Sequence, residues 1–272
     1  MPDRAATDAQ IDRNIAVHDR VAERYDGIHG EIFNDIEQAR LAKTLAVARD
    51  LVTTGSRPLV ALDFGCGSGN VTRHLLAMGC AVTAADVSQR FLDLVARRFA
   101  QSGELATARM NGSDLSNFPD DTFDLVATYS VLHHVPDYMR AVREMLRVCK
   151  PGGVVMLDHE PTEEYWSGNP VYAEFQRAGL RREWRKFLSP ANYVHKLWRL
   201  FDPRHTNEGD IHVWPDDHVE WPLITRTMLA DGAEIVHEED YLLYKDLYRR
   251  PVYEEYVGRC SDTRTMIFRK KC

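Results

Sequence analysis

The alternation of short apolar runs with helical patterns between residues 58 and 158 constrains the fold of this chain more than any other feature. Residues 58–64, PLVALDF, form an apolar run that ends in the glycine-rich turn GCGSGN, and helical spacing follows at residues 71–78. Strand and helix patterns repeat in the same order at residues 81–100. The run FDLVATYSVLHHV at residues 123–135 is almost continuously apolar, as in a strand that helices cover on both faces. The sequence therefore predicts an α/β fold with a doubly wound, mostly parallel sheet.

The segments before and after the alternating strands and helices suggest that the chain has three structural parts. We predict an N-terminal helical lead-in over the site at residues 1–55, a core formed by residues 56–160 and 222–272, and a mainly helical cap inserted at residues 161–221. The core also contains predicted helix caps at Ser88 and Asp137. Its last strand, TRTMIFRK, follows a long connection, which suits an antiparallel edge strand.

Composition limits the classes of partner. The formal charge of −7 does not favour nonspecific attraction to nucleic acid or anionic lipid, so we expect neither partner. The N-terminus lacks an apolar leader pattern, and no apolar run approaches the ~20 residues that span a bilayer. The chain has five cysteines and no C-x-x-C pair, which argues against a disulfide framework and suits the reducing cytoplasm. We expect a soluble cytoplasmic protein.

The turn at residues 65–70 is the segment that says most about the ligand. Three glycines at alternate positions, Gly65, Gly67 and Gly69, let the backbone pass close to a ligand at the carboxyl end of a strand. A dinucleotide fingerprint needs a glycine at the position of Asn70, so the G-x-G-x-G spacing departs from it. Asp63 just before the turn would sit poorly beside a pyrophosphate and well beside an amino-acid ammonium group. The segment favours an amino-acid nucleoside over a nicotinamide dinucleotide.

Four segments in this order resemble the class I S-adenosylmethionine-dependent methyltransferases, in particular the small-molecule branch with the ubiquinone and menaquinone methyltransferases. They are ALDFGCGSGNVT, VTAADVS, NGSDLSNFPDDTFDLVATYSVLHHVPD and LRVCKPGGVVML, within residues 20–158. The resemblance implies a Rossmann-like sheet with an antiparallel last strand, and S-adenosylmethionine as cofactor. It implies that the following residues contact that cofactor: Tyr25, Asp63, Gly65, Cys66, Gly67, Gly69, Asp86, Val87, Ser113, Asp114, Leu115 and Ser130.

Some of these residues have individual roles in the resemblance, each with a plainer alternative. Asp86 would accept both ribose hydroxyls, or it would only place charge at a helix N-terminus. Asp114 would accept from the adenine amino group, with Leu115 beside the ring, or it would only form a turn. Tyr25 would fold over the cofactor, or it would only pack.

A general base is needed only if the methyl acceptor must lose a proton. The candidates are His133, His134 and His159, with Asp158 and Glu160 near the end of the fifth strand. We favour His133 as the residue that faces the pocket. A histidine suits the role because its unperturbed pKa of ~6.5 leaves it largely neutral near pH 7.

The cap has two further interpretations. Its aromatic residues would suit an aromatic or lipid-like substrate, but most of them are better explained as the small core of an insertion. His212, Asp216, Asp217 and His218 have ligand types that bind metals, yet loop structure or substrate lining explains them better, and we expect no metal.

The sequence thus predicts methyl transfer from S-adenosylmethionine to an oxygen or nitrogen atom of a small metabolite. Two alternatives remain open at this point. One is a dehydrogenase that uses a nicotinamide dinucleotide, and the other is a protein that binds S-adenosylmethionine without turning it over.

Overall fold

A computed structural model of the protein describes residues 11–12, 15–16, 18–53, 57–180 and 219–272. Within them, seven strands form one sheet, with helices packed on both faces. The strands are β1 Val60–Phe64, β2 Ala81–Asp86, β3 Leu105–Arg109, β4 Phe123–Tyr129, β5 Cys149–Pro161, β6 Ala233–Tyr241 and β7 Thr263–Lys270.

The sheet has the order β3-β2-β1-β4-β5-β7-β6. The pairs among β1 to β5 are parallel, and β7 is antiparallel to both β5 and β6. The predicted Rossmann-like fold with one antiparallel strand is therefore confirmed. The predicted position of β7 at the edge is wrong, because β7 lies between β5 and β6. Its residues Met266, Ile267 and Phe268 are buried and need neighbouring strands on both sides, whereas the more exposed β6 forms the edge.

The helices follow the periodic segments of the sequence. They are α1 Tyr25–Ile28, α2 Asp35–Asp50, α3 Asn70–Ala77, α4 Gln89–Arg98, α5 Tyr138–Val148, α6 Glu163–Ser167, α7 Pro170–Gly179, α8 Trp221–Ala230 and α9 Arg250–Tyr256. Ser88 and Asp137 cap α4 and α5, since their side chains accept from the backbone N–H groups of Phe91 and Arg140. Among the residues described, no helix has the length and apolarity needed to cross a bilayer.

Two apolar layers enclose the sheet. On one face, Leu41 and Leu45 of α2 pack with Leu75 of α3, and on the other face Met145 of α5 packs with Ile224 of α8. Every residue of β4 is buried, as its continuous apolar sequence predicted. This strand is the centre of the sheet, and its carboxyl end points to the candidate site.

The described part of the predicted cap contains α6 and α7. Tyr172 and Phe175 pack with Tyr248 and other tyrosines near α9, while Trp221 is buried beside α5 in the main core. Tyr165 and Trp166 of α6 are exposed and pack edge-on against each other. Five further cap aromatics and the four potential metal ligands lie outside the described residues: Trp184, Phe187, Tyr193, Trp198, Trp214, His212, Asp216, Asp217 and His218. The division of the chain into lead-in, core and cap stays a prediction.

A buried ion cluster joins α2 to the carboxyl end of β5. The Arg40 guanidinium donates to Oε2 of Glu37 at 2.9 Å and to both carboxylate oxygens of Asp158 at 3.2 Å. Asp158 also accepts from the hydroxyls of Thr265 and Tyr241. Both carboxylates are fully buried, so each depends on the guanidinium for charge compensation.

We predict that Arg40→Ala lowers the free energy of unfolding by about 3–5 kcal/mol, because it leaves two buried carboxylates without their cation. Equilibrium denaturation monitored by circular dichroism measures this change. Arg250→Ala is the matched control, since Arg250 pairs with Asp35 at the surface, and it should change stability little. Equal stability of Arg40→Ala and wild type would contradict the assigned role of the cluster.

Candidate functional site

One pocket opens at the carboxyl ends of β1, β2 and β4, and most of the predicted cofactor residues line it. The space between its walls, including its mouth, is about 1160 Å³. The predicted residues in its lining are Tyr25, Asp63, Gly65, Cys66, Gly67, Asp86, Val87, Ser113, Asp114, Leu115 and Ser130. Gly69 is outside this lining, at the N-terminus of α3.

The turn after β1 shapes the pocket floor. Gly65 has a φ of +72°, and a Cβ atom there would come within 2.6 Å of Cγ2 of Val131. Gly67 has a φ of +48°, and a Cβ atom there would project into space with no atom within 4 Å. Any side chain at Gly65 would push away the loop after β4, and one at Gly67 would occupy space left open at the pocket.

Asp63 at the end of β1 is buried beneath the turn. Its Oδ2 accepts from the backbone N–H of Thr72 at 2.8 Å and from the Thr72 hydroxyl at 2.6 Å. Burial raises the pKa of Asp63 to about 7, against the lowering effect of the Thr72 hydrogen bonds. A ligand cation beside this carboxylate would therefore determine its protonation state near neutral pH.

Asp86 at the end of β2 links the turn to α4. Its Oδ2 accepts from the N–H of Gly67 at 2.9 Å, and its Oδ1 accepts from the N–H of Ser88 at 2.8 Å. Burial raises its pKa, while these hydrogen bonds and nearby His18 lower it. Each carboxylate oxygen keeps capacity for one more donor, as binding of a diol would require.

The segment after β3 forms a third wall. Oδ1 of Asp114 accepts from the side chain of Asn111 at 2.8 Å, and Oδ2 accepts from Arg140 at 2.7 Å. Hydrogen bonds from Ser116 and Asn111 lower the pKa of Asp114 to about 2. Asp114 thus stabilises the turn after β3, which was the simpler role considered for it. It also lines the pocket beside buried Leu115.

The N-terminal segment covers the pocket with residues that the sequence analysis missed. His18 lines the pocket, and its ring centroid lies 5.7 Å from that of His134. Ile11 also lines it and lies against Gly112, where a Cβ would come within 2.8 Å of its side chain. Tyr25 both lines the pocket and packs edge-on against Phe91. Tyr25 was predicted from the family resemblance, whereas no motif marks His18 or Ile11, because their position depends on how the segment crosses α4.

The three candidate histidines occupy different surroundings. His134 lines the pocket, whereas the sequence analysis favoured His133 for that position. Nδ1 of His133 lies 2.7 Å from Oε2 of Glu160, whose other oxygen accepts from the N–H groups of Val131 and Leu132 at 2.9 and 2.7 Å. His159 is buried, and burial holds its pKa well below the ordinary value.

Unusual backbone conformations occur at the ends of β4 and β5. Ser130 and His159 have φ values of +60° and +62°. The pairing of β5 with β7 also shifts register between Leu157 and Glu160, which is a bulge. Such conformations cost of order 1–3 kcal/mol each and concentrate at functional sites.

The buried thiol of Cys66 lines the pocket, and burial raises its pKa well above the ordinary value. It is therefore a neutral wall group near pH 7 rather than a nucleophile. Within the described ranges, no group of three or more His, Cys, Asp or Glu residues is arranged to hold a metal ion.

Sequence comparison places the chain among known methyltransferases. The family model described as a methyltransferase domain matches residues 62–157. A ubiquinone biosynthesis O-methyltransferase of Alkalilimnicola ehrlichii is 30% identical over 66% of this chain and 74% of the relative. A demethylmenaquinone methyltransferase of Clavibacter sepedonicus is 34% identical over 52% of this chain and 56% of the relative. The chain spans only about half the length of several such relatives.

Solved structures share the fold. An S-adenosylmethionine-dependent methyltransferase from Mesorhizobium loti superposes with a TM-score of 0.53 at 20% identity, covering 84% of this chain and 98% of the other. The [4+2]-cyclase SpnF superposes with a TM-score of 0.59 at 20% identity, covering 94% of each chain. The chain belongs to the S-adenosylmethionine-dependent methyltransferase family, whose cofactor is S-adenosylmethionine.

The residues of the pocket fit this cofactor by their chemistry. The open space at Gly67 admits a ligand against the backbone. Asp63 presents an acid beside that space for an ammonium group, and Asp86 has acceptor capacity for two hydroxyls. A pyrophosphate would bring negative charge toward both acids, so the pocket fits a nicotinamide dinucleotide less well.

We predict that Asp86→Ala weakens binding of S-adenosylhomocysteine by about 1.5–3 kcal/mol, or roughly ten- to a hundredfold, because a charge-assisted acceptor is lost. Titration calorimetry measures this change, and circular dichroism checks the fold. Asp93→Ala on the exposed side of α4 is the control. Unchanged affinity in a folded Asp86→Ala protein would remove Asp86 from the site.

The raised pKa of Asp63 predicts a pH dependence. A ligand ammonium favours the ionised carboxylate, so affinity for S-adenosylhomocysteine should rise from about pH 6 to about pH 8 in the wild type and not in Asp63→Asn.

The folded protein holds the Asp63 proton more tightly than the unfolded chain. Stability without ligand should therefore fall, relative to Asp63→Asn, as the pH rises from about 4 through 7. Parallel pH profiles of the two proteins would refute this assignment.

Proposed function

We propose that this chain binds S-adenosylmethionine in the pocket and transfers its methyl group to an oxygen or nitrogen atom of a small metabolite. The observation that carries the proposal is the pocket where the glycine turn, Asp86 and Asp114 meet. The relatives include a ubiquinone biosynthesis O-methyltransferase, and this supports a small-molecule acceptor. Five unpaired cysteines agree with a cytoplasmic location.

We propose that each segment of the pocket wall holds one part of the cofactor. The turn at residues 65–69 and Asp63 would hold the amino-acid portion, and Asp86 would hold the ribose hydroxyls. Leu115 gives an apolar surface for the adenine ring, and Asp114 still has lone-pair capacity for the amino group, since three hydrogen bonds do not exhaust a carboxylate. These roles follow the family motifs, and the positions in the pocket support them.

When bound, the cofactor supplies a methyl carbon that the positive sulfonium activates. The chain contributes mainly by alignment, which can lower a barrier by ~7 kcal/mol or more. His18 and Tyr25 lie over the pocket and are positioned to exclude water from it. The salt bridge of 2.9 Å between Arg98 and Asp26 secures this covering segment to α4.

The geometry around Glu160 supports His133 as the general base beside the pocket, where its ring centroid lies 4.0 Å from that of His134, the histidine that lines the pocket. Glu160 is fully buried and its Oε1 already accepts two backbone N–H groups, so its Oε2 is fixed as the acceptor for Nδ1–H of His133. A neutral imidazole protonated at Nδ1 carries its lone pair at Nε2. The carboxylate of Glu160 therefore favours the tautomer of His133 in which Nε2 carries the basic lone pair.

The fold by itself does not determine the reaction, since a cyclase shares it at 20% identity. A protein that binds the cofactor without turnover is thus the second candidate. Calorimetry with S-adenosylhomocysteine and NADH tests the cofactor, and binding of NADH alone would overturn the proposal. Incubation with methyl-labelled S-adenosylmethionine and a metabolite extract tests turnover, and absence of any labelled product would favour the second candidate.

We predict that His133→Ala and Glu160→Gln each lower turnover by about 100-fold or more while affinity for S-adenosylhomocysteine is retained. In Glu160→Gln the amide oxygen can still accept from Val131 and Leu132. Its N–H group then donates to Nδ1 of His133, which moves the ring proton to Nε2 and removes the base.

Labelled-product formation from the active extract measures these rates. His237→Gln on the edge strand β6 is the control and should match the wild type. Wild-type turnover by Glu160→Gln would show that the tautomer of His133 does not matter to the reaction.

A further inference from the structure

His159 has a conformation that a simple strand end does not require. It lies at the bulge of β5 and has a left-handed φ of +62°. Its neighbours fix the backbone on both sides, because Asp158 is held by Arg40 and Glu160 is held by the loop after β4. A bulge at such a position redirects one side chain, and here that side chain is an imidazole.

The redirected ring packs on Tyr129, which lines the cofactor pocket. The two ring centroids are 4.5 Å apart, and each residue is only 7% exposed. Nδ1 of His159 and the hydroxyl of Tyr129 form no hydrogen bond of normal geometry in the described part of the chain, and they do not bond to each other. Cζ of Arg40 lies 6.0 Å from the Tyr129 ring centroid and Arg40 lowers the Tyr129 pKa, but its guanidinium is already paired with Glu37 and Asp158. Each of the two packed rings therefore carries an unsatisfied buried polar atom at one wall of the pocket, which is costly unless a ligand bonds to it.

The surroundings favour a ligand group without charge. Burial lowers the pKa of His159 and raises that of Tyr129, so both side chains are neutral near pH 7. Arg40, His133 and Lys245 also lower the pKa of His159. The buried carboxylates of Glu37 and Asp158, which pair with Arg40, offset the positive charges of Arg40 and Lys245. An ionised ligand group would therefore lose its hydration without a net counter-charge, whereas a hydroxyl or carbonyl would lose far less.

We infer that Tyr129 and His159 form a subsite that binds an uncharged oxygen group, a hydroxyl or a carbonyl, of the methyl acceptor. The inference rests on the proposed function, because the subsite adjoins the pocket assigned to the cofactor. The Tyr129 hydroxyl can donate to either kind of oxygen, and Nδ1 of His159 can accept from a hydroxyl. The methyl acceptor is thus a compound that carries an uncharged hydroxyl or carbonyl group at the position that meets this subsite.

Four probes that share a phenyl ring test this inference on the full chain saturated with S-adenosylhomocysteine: benzyl alcohol, acetophenone, benzoate and benzylamine. Ligand-observed NMR titration gives their dissociation constants. The uncharged probes should bind at least fivefold more tightly than the charged ones. They should also bind at least fivefold more weakly to Tyr129→Phe and to His159→Asn, which keeps a residue that tolerates left-handed φ.

A stability measurement adds a readout that needs no probe. Tyr129→Phe removes an unsatisfied hydroxyl, so its melting temperature should equal or exceed that of the wild type. Tyr253→Phe is the matched control, because the Tyr253 hydroxyl donates to the carbonyl of Leu242 at 3.1 Å, and it should melt lower. Equal destabilisation by both substitutions would mean that the Tyr129 hydroxyl has a partner, which overturns the inference.

The probe results separate this inference from the proposed function. Failure of the chain to bind S-adenosylhomocysteine would overturn the proposed function. Normal binding of S-adenosylhomocysteine combined with no binding of either uncharged probe, tighter binding of the charged probes, or unchanged affinity in both variants would overturn only the subsite.

Discussion

The parallel pairing of β1 with β2 and β4 is the constraint on which the site depends. In this register Phe64 pairs with Ala85 on one side and with Thr128 on the other, so three carboxyl ends stop at one edge of the sheet. Residues from distant parts of the sequence, such as Gly65, Asp86 and Ser130, follow these ends and therefore meet in one pocket. An antiparallel arrangement would have sent alternate ends to opposite edges.

The end of β5 is a second constraint on the site, because three consecutive residues there contact three different parts of the structure. Asp158 joins α2 through Arg40, and Glu160 holds the loop after β4 together with His133. His159 between them is left with a buried ring beside the pocket wall. The bulge makes this division possible, since regular alternation would place Asp158 and Glu160 on the same face of the sheet.

Several ionisable side chains of the site are buried with too few hydrogen bonds or counter-charges to cancel the loss of hydration, and this shifts their pKa values. The same desolvation raises the pKa of Asp63 toward neutrality and keeps His159 uncharged. An acid near its titration point responds to a ligand cation, while a neutral imidazole suits an uncharged partner. Asp114 is the contrast, because hydrogen bonds from Ser116 and Asn111 keep it ionised. The pocket therefore has distinct electrostatic surroundings along its walls.

Local patterns were enough to predict the sheet and the helix caps, because apolar periodicity and capping side chains such as Ser88 act over a few residues. The glycine turn and the family motifs added eleven of the residues that line the pocket. The sequence alone placed β7 as an edge strand, although strand order depends on which faces remain to be covered after the rest has packed. Three features became visible in the folded chain: His18 reaches the pocket, Glu160 contacts His133, and a bulge redirects His159. Those features arise from contacts between segments far apart in the chain, which no local pattern records.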